Sequence, residues 1–142
     1  MRVLGVDLGS RRIGVAVSSG SVATPYEVIE RVGDRAREHE RLLDLAAEVG
    51  AERIVVGLPL SLDGSVGPAA RGVLDEVAEL RARTGLPVDT YDERLTTVTA
   101  ERALAAGGVR GPARRKVVDK LAAAVMLQGW LDGRPPEPAE RP

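Results

Sequence analysis

The stretch that most constrains this chain is residues 3–18, VLGVDLGSRRIGVAVS, which sets one acidic side chain inside an otherwise apolar run. Val3, Leu4, Val6 and Leu8 favour an extended backbone, and Ile13 to Val17 do the same after the polar break at Ser10, Arg11 and Arg12, so the pair predicts a β-hairpin. With the strand period of two, Leu4, Val6 and Leu8 share one face, while Val3, Gly5, Asp7 and Gly9 share the other. Glycine weakens a strand interior and marks places where another backbone or a ligand comes close, so Gly5 and Gly9 predict room around the Asp7 carboxylate. The competing reading makes Asp7 an ordinary strand-end residue.

Composition narrows the chemistry available to that acid. The chain has 142 residues, 44% of them hydrophobic and 29% charged, enough for one compact domain with a real core. The expected division is a single domain over residues 1–132, followed by a disordered tail over 133–142, GRPPEPAERP, too rich in proline and charge to pack. Cysteine is absent, which excludes disulfides, zinc–thiolate sites and thiol nucleophiles, and the only histidine, His39, sits in a charged run where a solvated position is expected. No apolar run approaches the ~20 residues of a membrane span and no signal-like leader precedes the first strand, so no membrane contact and a cytoplasmic location are expected. The net charge is -1, so nucleic acid can be bound only through local clusters of positive charge. Nearly all of that charge is arginine, whose planar fork suits phosphate.

After the hairpin, residues 23–32, ATPYEVIERV, predict a third antiparallel strand, at an edge because of Pro25. Asp34 is a candidate N-cap for a helix with Leu42, Leu45, Ala46 and Val49 on one side, closed by Gly50. RIVVGLPL, residues 53–60, has the continuous apolar character of a strand covered on both faces and runs into the loop SLDGSVG. A helix follows Pro68, with Ala70, Val73, Leu74, Val77 and Leu80 at helical spacing, and then a strand, PVDTY, which makes the crossover parallel. That strand leads into Asp92-Glu93-Arg94 and a helix opened by Thr96 or Thr97, the kind of carboxyl end where open α/β sheets place their sites. Residues 107–115, GGVRGPARR, predict a flexible basic loop, followed by a last helix to about Asp132. Its expected apolar stripe is Val118, Leu121, Ala122 and Val125, with Asp119 on the border beside Ala123 and Met126.

Asp7, Glu93 and Asp119 all belong to elements that must pack on one sheet if the domain has one core. Three carboxylates without cysteine or histidine make a hard, all-oxygen site suited to Mg²⁺ or Mn²⁺. Two such ions ~3.5–4 Å apart clamp the attacking and leaving oxygens of a phosphoryl displacement and lower the pKa of water, so no histidine base is needed. Carboxylates gathered this closely repel one another without a cation, so the metal-free state is expected to be electrostatically unfavourable.

GVDLGSRRIGVAVS, IVVGLPLSLDGSVGPAA, YDERLTT and VDKLAAAVMLQGWL, in this order and spacing, resemble successive motifs of the YqgF family, also called RuvX. The resemblance covers the chain apart from its tail. It implies an α/β, ribonuclease H-like fold: a mixed five-stranded sheet in the order 3-2-1-4-5, its first three strands antiparallel, with helices on both faces. It also implies that Asp7, Glu93 and Asp119 are the metal-binding catalytic acids of a nuclease that processes the 5′ end of pre-16S rRNA. The family has also been proposed to resolve Holliday junctions, so pre-rRNA and branched DNA are the two expected partners.

Arg94 is the preferred auxiliary residue, for a scissile phosphate or for orienting Glu93. Arg11, Arg110, Arg114, Arg115, Lys116 and Lys120 complete the expected nucleic-acid contacts, suited to backbone more than base recognition. Asp63 is a further ligand candidate, which its Asp-Gly turn explains more simply. Two other classes compete: an actin- or sugar-kinase-type nucleotide-binding module, which shares the opening DLG strand but normally closes two domains over its ligand, and a non-catalytic scaffold. A junction resolvase has to dimerise to cut two strands related by symmetry, whereas an rRNA-trimming enzyme acts as a monomer, so a monomer or weak homodimer is expected.

Overall fold

A computed structural model of the chain describes residues 1–94 and 111–133, with the side chains of 111–117 excepted. The hairpin forms as β1 (Val3–Leu8) and β2 (Arg12–Ser19), paired antiparallel with Asp7 opposite Gly14, and β3 (Val22–Glu30) continues it. The chain then alternates: α1 (Arg35–Glu48), β4 (Arg53–Leu58), α2 (Pro68–Arg83), β5 (Val88–Asp92) and, after the undescribed 95–110, α3 (Gly111–Asp132). The sheet order is β3-β2-β1-β4-β5, with β1-β4 and β4-β5 parallel, which is the architecture that the family resemblance implies. β3 is an edge strand, and its register with β2 shifts between Val15 and Ala16, next to Pro25.

The strand alternation divides the domain into two layers. Leu4, Val6, Leu8, Ile13, Val15, Ile54, Val56 and Val88 point to one face and form the main core with Leu42, Leu45 and Ala46 of α1 and Val73, Val77 and Leu80 of α2. Val3, Ala16 and Val55 point to the other face, where α3 covers them with Ala123, Ala124, Met126 and Leu127. Asp34 caps α1 by accepting a hydrogen bond from the Arg37 amide at 3.2 Å, and Gly50 ends it at φ +66, as a left-handed terminator.

Four local expectations change. Residues 111–115 begin α3 instead of forming a flexible loop, with Pro112 in the first turn, where a missing N–H costs nothing. The buried side of α3 centres on Ala123, Met126 and Leu127, whereas Val118, Leu121 and Val125 are only half-buried. Asp119, four residues before Ala123 and seven before Met126, therefore lies on the sheet-facing side and not on its border. On α2, Leu74 is exposed although its spacing fits the apolar stripe.

The fourth change is His39, which is 1% exposed instead of solvated. Its Nε2 lies 2.8 Å from Glu76 Oε1 of α2, inside an ion network centred on Arg31 at the end of β3. Arg31 donates to both Glu76 carboxylate oxygens at 2.9 and 2.8 Å, to Glu38 Oε1 at 3.0 Å and, through Nε, to the Gly9 carbonyl at 2.8 Å. The charged positions of α1 and α2 meet because both helices lie on the same face of the sheet and their acids share one arginine. Burial pushes the Glu38 and Glu76 carboxyls up, but hydrogen bonds outweigh it: the Val32 amide and Arg31 for Glu38, and Arg31 and His39 for Glu76. Both are held below their ordinary value of 4.5. Because the folded pKa is the lower one, this network stabilises fully above pH 4.5 and its contribution is lost as pH falls through the folded values. Glu76→Ala, which strands Arg31 and His39, is expected to cost about 3 kcal/mol at pH 7 in urea melts, with a smaller difference from wild type at pH 3.

Candidate active site

Asp7 stands near the end of the central strand β1, on the α3 side of the sheet. Gly14 is its antiparallel partner on β2, and on the other side Val6 pairs with Val56, so the next residues along, Asp7 and Gly57, are neighbours at the ends of β1 and β4. Asp7 is thus flanked by a glycine on each adjacent strand. A Cβ on Gly14 would run into the backbone carbonyl of Asp119, and one on Gly57 would run into the Glu93 carboxylate. The bare backbone at these two positions lets α3 descend onto β2 and lets Glu93 fold over β4. Glu93 lies two residues beyond Tyr91, which pairs with Gly57, and its amide donates to the Leu58 carbonyl at 3.2 Å. Gly5 and Gly9, from which the sequence predicts room around Asp7, serve other neighbours. A Cβ on Gly5 would press on Leu127, and one on Gly9 on the Arg12 carbonyl of the hairpin turn.

Asp7 feels the Asp119 charge, and Glu93 feels that of Asp7. Burial, and then the Asp119 charge, push the Asp7 carboxyl up to about 6. Burial, then Asp7, then Asp92 push Glu93 up to about 7. Among the described residues, nothing donates a hydrogen bond or forms an ion pair to the Asp7 carboxylate. Nor do three acids or imidazoles among them stand close enough together to cage an ion. Asp119 is engaged elsewhere: Arg12 Nε donates to its Oδ2 at 2.7 Å, both side chains being part-buried. The donor set nevertheless fits a hard divalent cation, because it is all oxygen and carries a buried, uncompensated carboxylate that a cation would neutralise.

The other expected site residues divide. Arg94 clamps Asp92, with Nη2–Oδ2 at 2.6 Å and Nε at 3.0 and 2.8 Å from the two carboxylate oxygens, and reaches the Leu62 carbonyl at 3.3 Å. It ties the loop after β4 to the end of β5. Asp63 accepts from the Ser65 amide at 2.9 Å and the Ser65 hydroxyl at 2.6 Å, the bonding of an Asx turn, and those bonds lower its pKa. Arg11 is exposed at the hairpin turn, and Lys120 is half-buried on α3 beside Asp119. Arg114, Arg115 and Lys116 fall in the first turns of α3, while Arg110, Thr96 and Thr97 lie outside the described residues. Arg12, which the sequence groups with Ser10 and Arg11 in the turn as a nucleic-acid backbone contact, opens β2, and its pairing with Asp119 was missed. Its parity with Gly14 places it on the Asp7 side of the sheet and was the available signal.

Residues 1–133 match the protein family described as RuvX: Holliday junction resolvase. The chain belongs to the RuvX family. A relative from Symbiobacterium thermophilum is 44% identical over 99% of this chain and 98% of its own length, and one from Desulforudis audaxviator is 43% identical over 94% and 96%; both carry the name "Putative pre-16S rRNA nuclease". Among solved structures, T. thermophilus RuvC in complex with a Holliday junction substrate superposes with a TM-score of 0.57 at 20% identity, covering 94% of this chain and 96% of that one. That likeness establishes the ribonuclease H-like fold. Membership of the RuvX family over this length displaces the actin- or sugar-kinase-type alternative. No helix among the described residues is long and apolar enough to cross a membrane.

The raised carboxyl pKa values have a thermodynamic sign. An acid whose folded pKa is raised destabilises the fold from its ordinary value upward and fully above the raised one, so the cost begins to fall as pH drops through about 7 for Glu93 and about 6 for Asp7 and is gone only below their ordinary values of 4.5 and 3.8. Mg²⁺ or Mn²⁺ is therefore expected to raise the melting temperature by about 5 °C at a hundredfold excess over its Kd at pH 8, and by less at pH 5.5, where Asp7 and Glu93 are mostly protonated. Differential scanning fluorimetry at the two pH values, with and without the ion, measures this.

Proposed function

We propose that this RuvX protein is a metal-dependent nuclease that hydrolyses phosphodiester bonds of structured nucleic acid, with pre-16S rRNA as its substrate class. The observation that supports the reading is that Asp7 feels the Asp119 charge and Glu93 the Asp7 charge on the glycine-lined α3 face of the sheet, in a chain whose near full-length relatives bear the nuclease name. In this reading Asp7, Glu93 and Asp119 hold Mg²⁺ or Mn²⁺, one ion or a pair. Such ions supply the positive charge that polarises the phosphodiester and makes water acidic enough to attack at neutral pH.

The protein's own contribution is placement. The rigid central strand fixes Asp7, the close approach of α3 at Gly14 fixes Asp119, and the Leu58 carbonyl anchors the backbone of Glu93. Arg94 holds the neighbouring loop instead of the scissile phosphate. Phosphate contacts fall to Arg11, Lys120 and the basic residues Arg110, Arg114, Arg115 and Lys116, a backbone-reading set.

Holliday junction resolution is the second reading, supported by the family's description, and a non-catalytic scaffold is the third. A cleavage assay comparing pre-16S rRNA with four-way DNA junctions, with and without Mg²⁺ or Mn²⁺, separates all three. Metal-dependent cleavage of the rRNA precursor is expected; selective junction cleavage favours the second reading, and inactivity on both the third. Asp7→Asn and Glu93→Gln are each expected to abolish cleavage, and Asp7→Asn to raise the metal-free melting temperature, since it removes a buried repelling charge. Wild-type cleavage by either variant refutes the assignment. Neutralising Lys116 or Arg114 is expected to weaken binding and to reduce the slope of log K against log salt by about one per contact, measured by fluorescence anisotropy across a salt series.

A further inference from the structure

Arg12 stands between two regions of opposite character. On one side its Nε donates to Asp119 Oδ2 at 2.7 Å. On the other it lines an open hollow of 640 Å³ beside the hairpin turn, together with Ser10, Arg11, Glu30, Arg31 and Arg35. Its second acidic neighbour, Glu30, is 4.0 Å away and half exposed, so Asp119 is its principal partner. The other arginines of the hollow are held differently: Arg31 is spent on Glu38, Glu76 and the Gly9 carbonyl, and Arg35 on Glu79 at 3.1 Å. Arg12 is the member of that group bonded to one of the three acids.

We propose that Arg12 is an exchangeable counter-ion of the acidic site: it holds Asp119 in the metal-free protein, is displaced when a divalent cation takes that carboxylate, and then presents its guanidinium to a phosphate of the nucleic acid at the mouth of the hollow. The inference rests on the metal-nuclease reading above and adds to it a positioning residue with two partners. It bears on the one feature of the site that does not suit an ion: the acids form no cage among the described residues, and Asp119 is bonded to Arg12. The contact is a single N–H to a single oxygen, not a bidentate fork, so exchange requires only a rotation of two side chains while the backbones stay fixed at Gly14. The β2 backbone at Arg12 is secured by its pairing with β3, and the Arg11 carbonyl accepts from the Arg31 amide at 2.9 Å.

The test is Mn²⁺ binding, followed by electron paramagnetic resonance of the free ion, in the wild type, Arg12→Gln and Asp7→Asn. Removing the competitor is expected to tighten Mn²⁺ binding about tenfold in Arg12→Gln while its turnover falls, a divergence that a merely structural arginine does not produce. Asp7→Asn is expected to lose binding. Wild-type binding that depends on Asp7 but is unchanged or weakened in Arg12→Gln overturns the counter-ion role and leaves the metal site standing; absence of Mn²⁺ binding in the wild type overturns both. Should Arg12→Gln fail to fold, the wild type carries the test alone: the Arg12 Nε–H resonance in a ¹⁵N spectrum is expected to shift on saturation with Mg²⁺, and an unmoved resonance overturns the proposal.

Discussion

The architecture around the candidate site depends on the absence of two side chains. Gly14 and Gly57 lie on the strands either side of Asp7, and at each the space of a Cβ is already filled, by the Asp119 backbone in one case and the Glu93 carboxylate in the other. An ordinary residue at Gly14 would lift the first half of α3 off the sheet, and an ordinary residue at Gly57 would push Glu93 away. Close packing leaves little slack at Gly14, where the obstacle is backbone, whereas at Gly57 the Glu93 side chain itself would have to swing aside. The small residues of α3, Ala123 and Ala124, extend the same close approach along the helix.

The two faces of the sheet handle charge in opposite ways. On the α1–α2 face, Glu38, Glu76 and His39 are buried around Arg31, and hydrogen bonds keep the two glutamates ionised in spite of burial. On the α3 face, burial and neighbouring acids push the Asp7 and Glu93 carboxyls towards neutrality. Both faces have acids in a medium that penalises charge, and the difference lies in whether a cation is built in. The first arrangement is structural support, and its link through Arg31 to the Gly9 carbonyl steadies the turn next to Asp7. The second is a site in electrostatic tension, the condition expected where a mobile cation belongs. Arg12 stands at the margin of the second face, bonded to Asp119.

How much of this was legible depended on the range of the interaction. The hairpin, the edge position of β3, the cap at Asp34 and the parallel crossover follow from local pattern and turn chemistry, and all are found. His39 was misjudged because the acids that bury it are brought in partly from Glu76 on another helix, thirty-seven residues on. That Arg94 pairs with Asp92, only two residues away, was not legible, because whether the pair closes depends on the loop that the arginine also holds. The buried side of α3 was placed one step round the helix, since alanines carry little signal of their own and their burial depends on the glycines opposite them.

The sequence by itself determined the strand alternation, the face on which Asp7 stands, the all-oxygen character of the acid set and the family to which the chain belongs, because each is a property of residue order. Only the tertiary structure decided which glycines admit α3 and Glu93, that Asp119 faces the sheet, and that Arg12 is its partner. Those are contacts between residues up to 107 positions apart, and sequence pattern carries no distance across such a gap until the helix has docked.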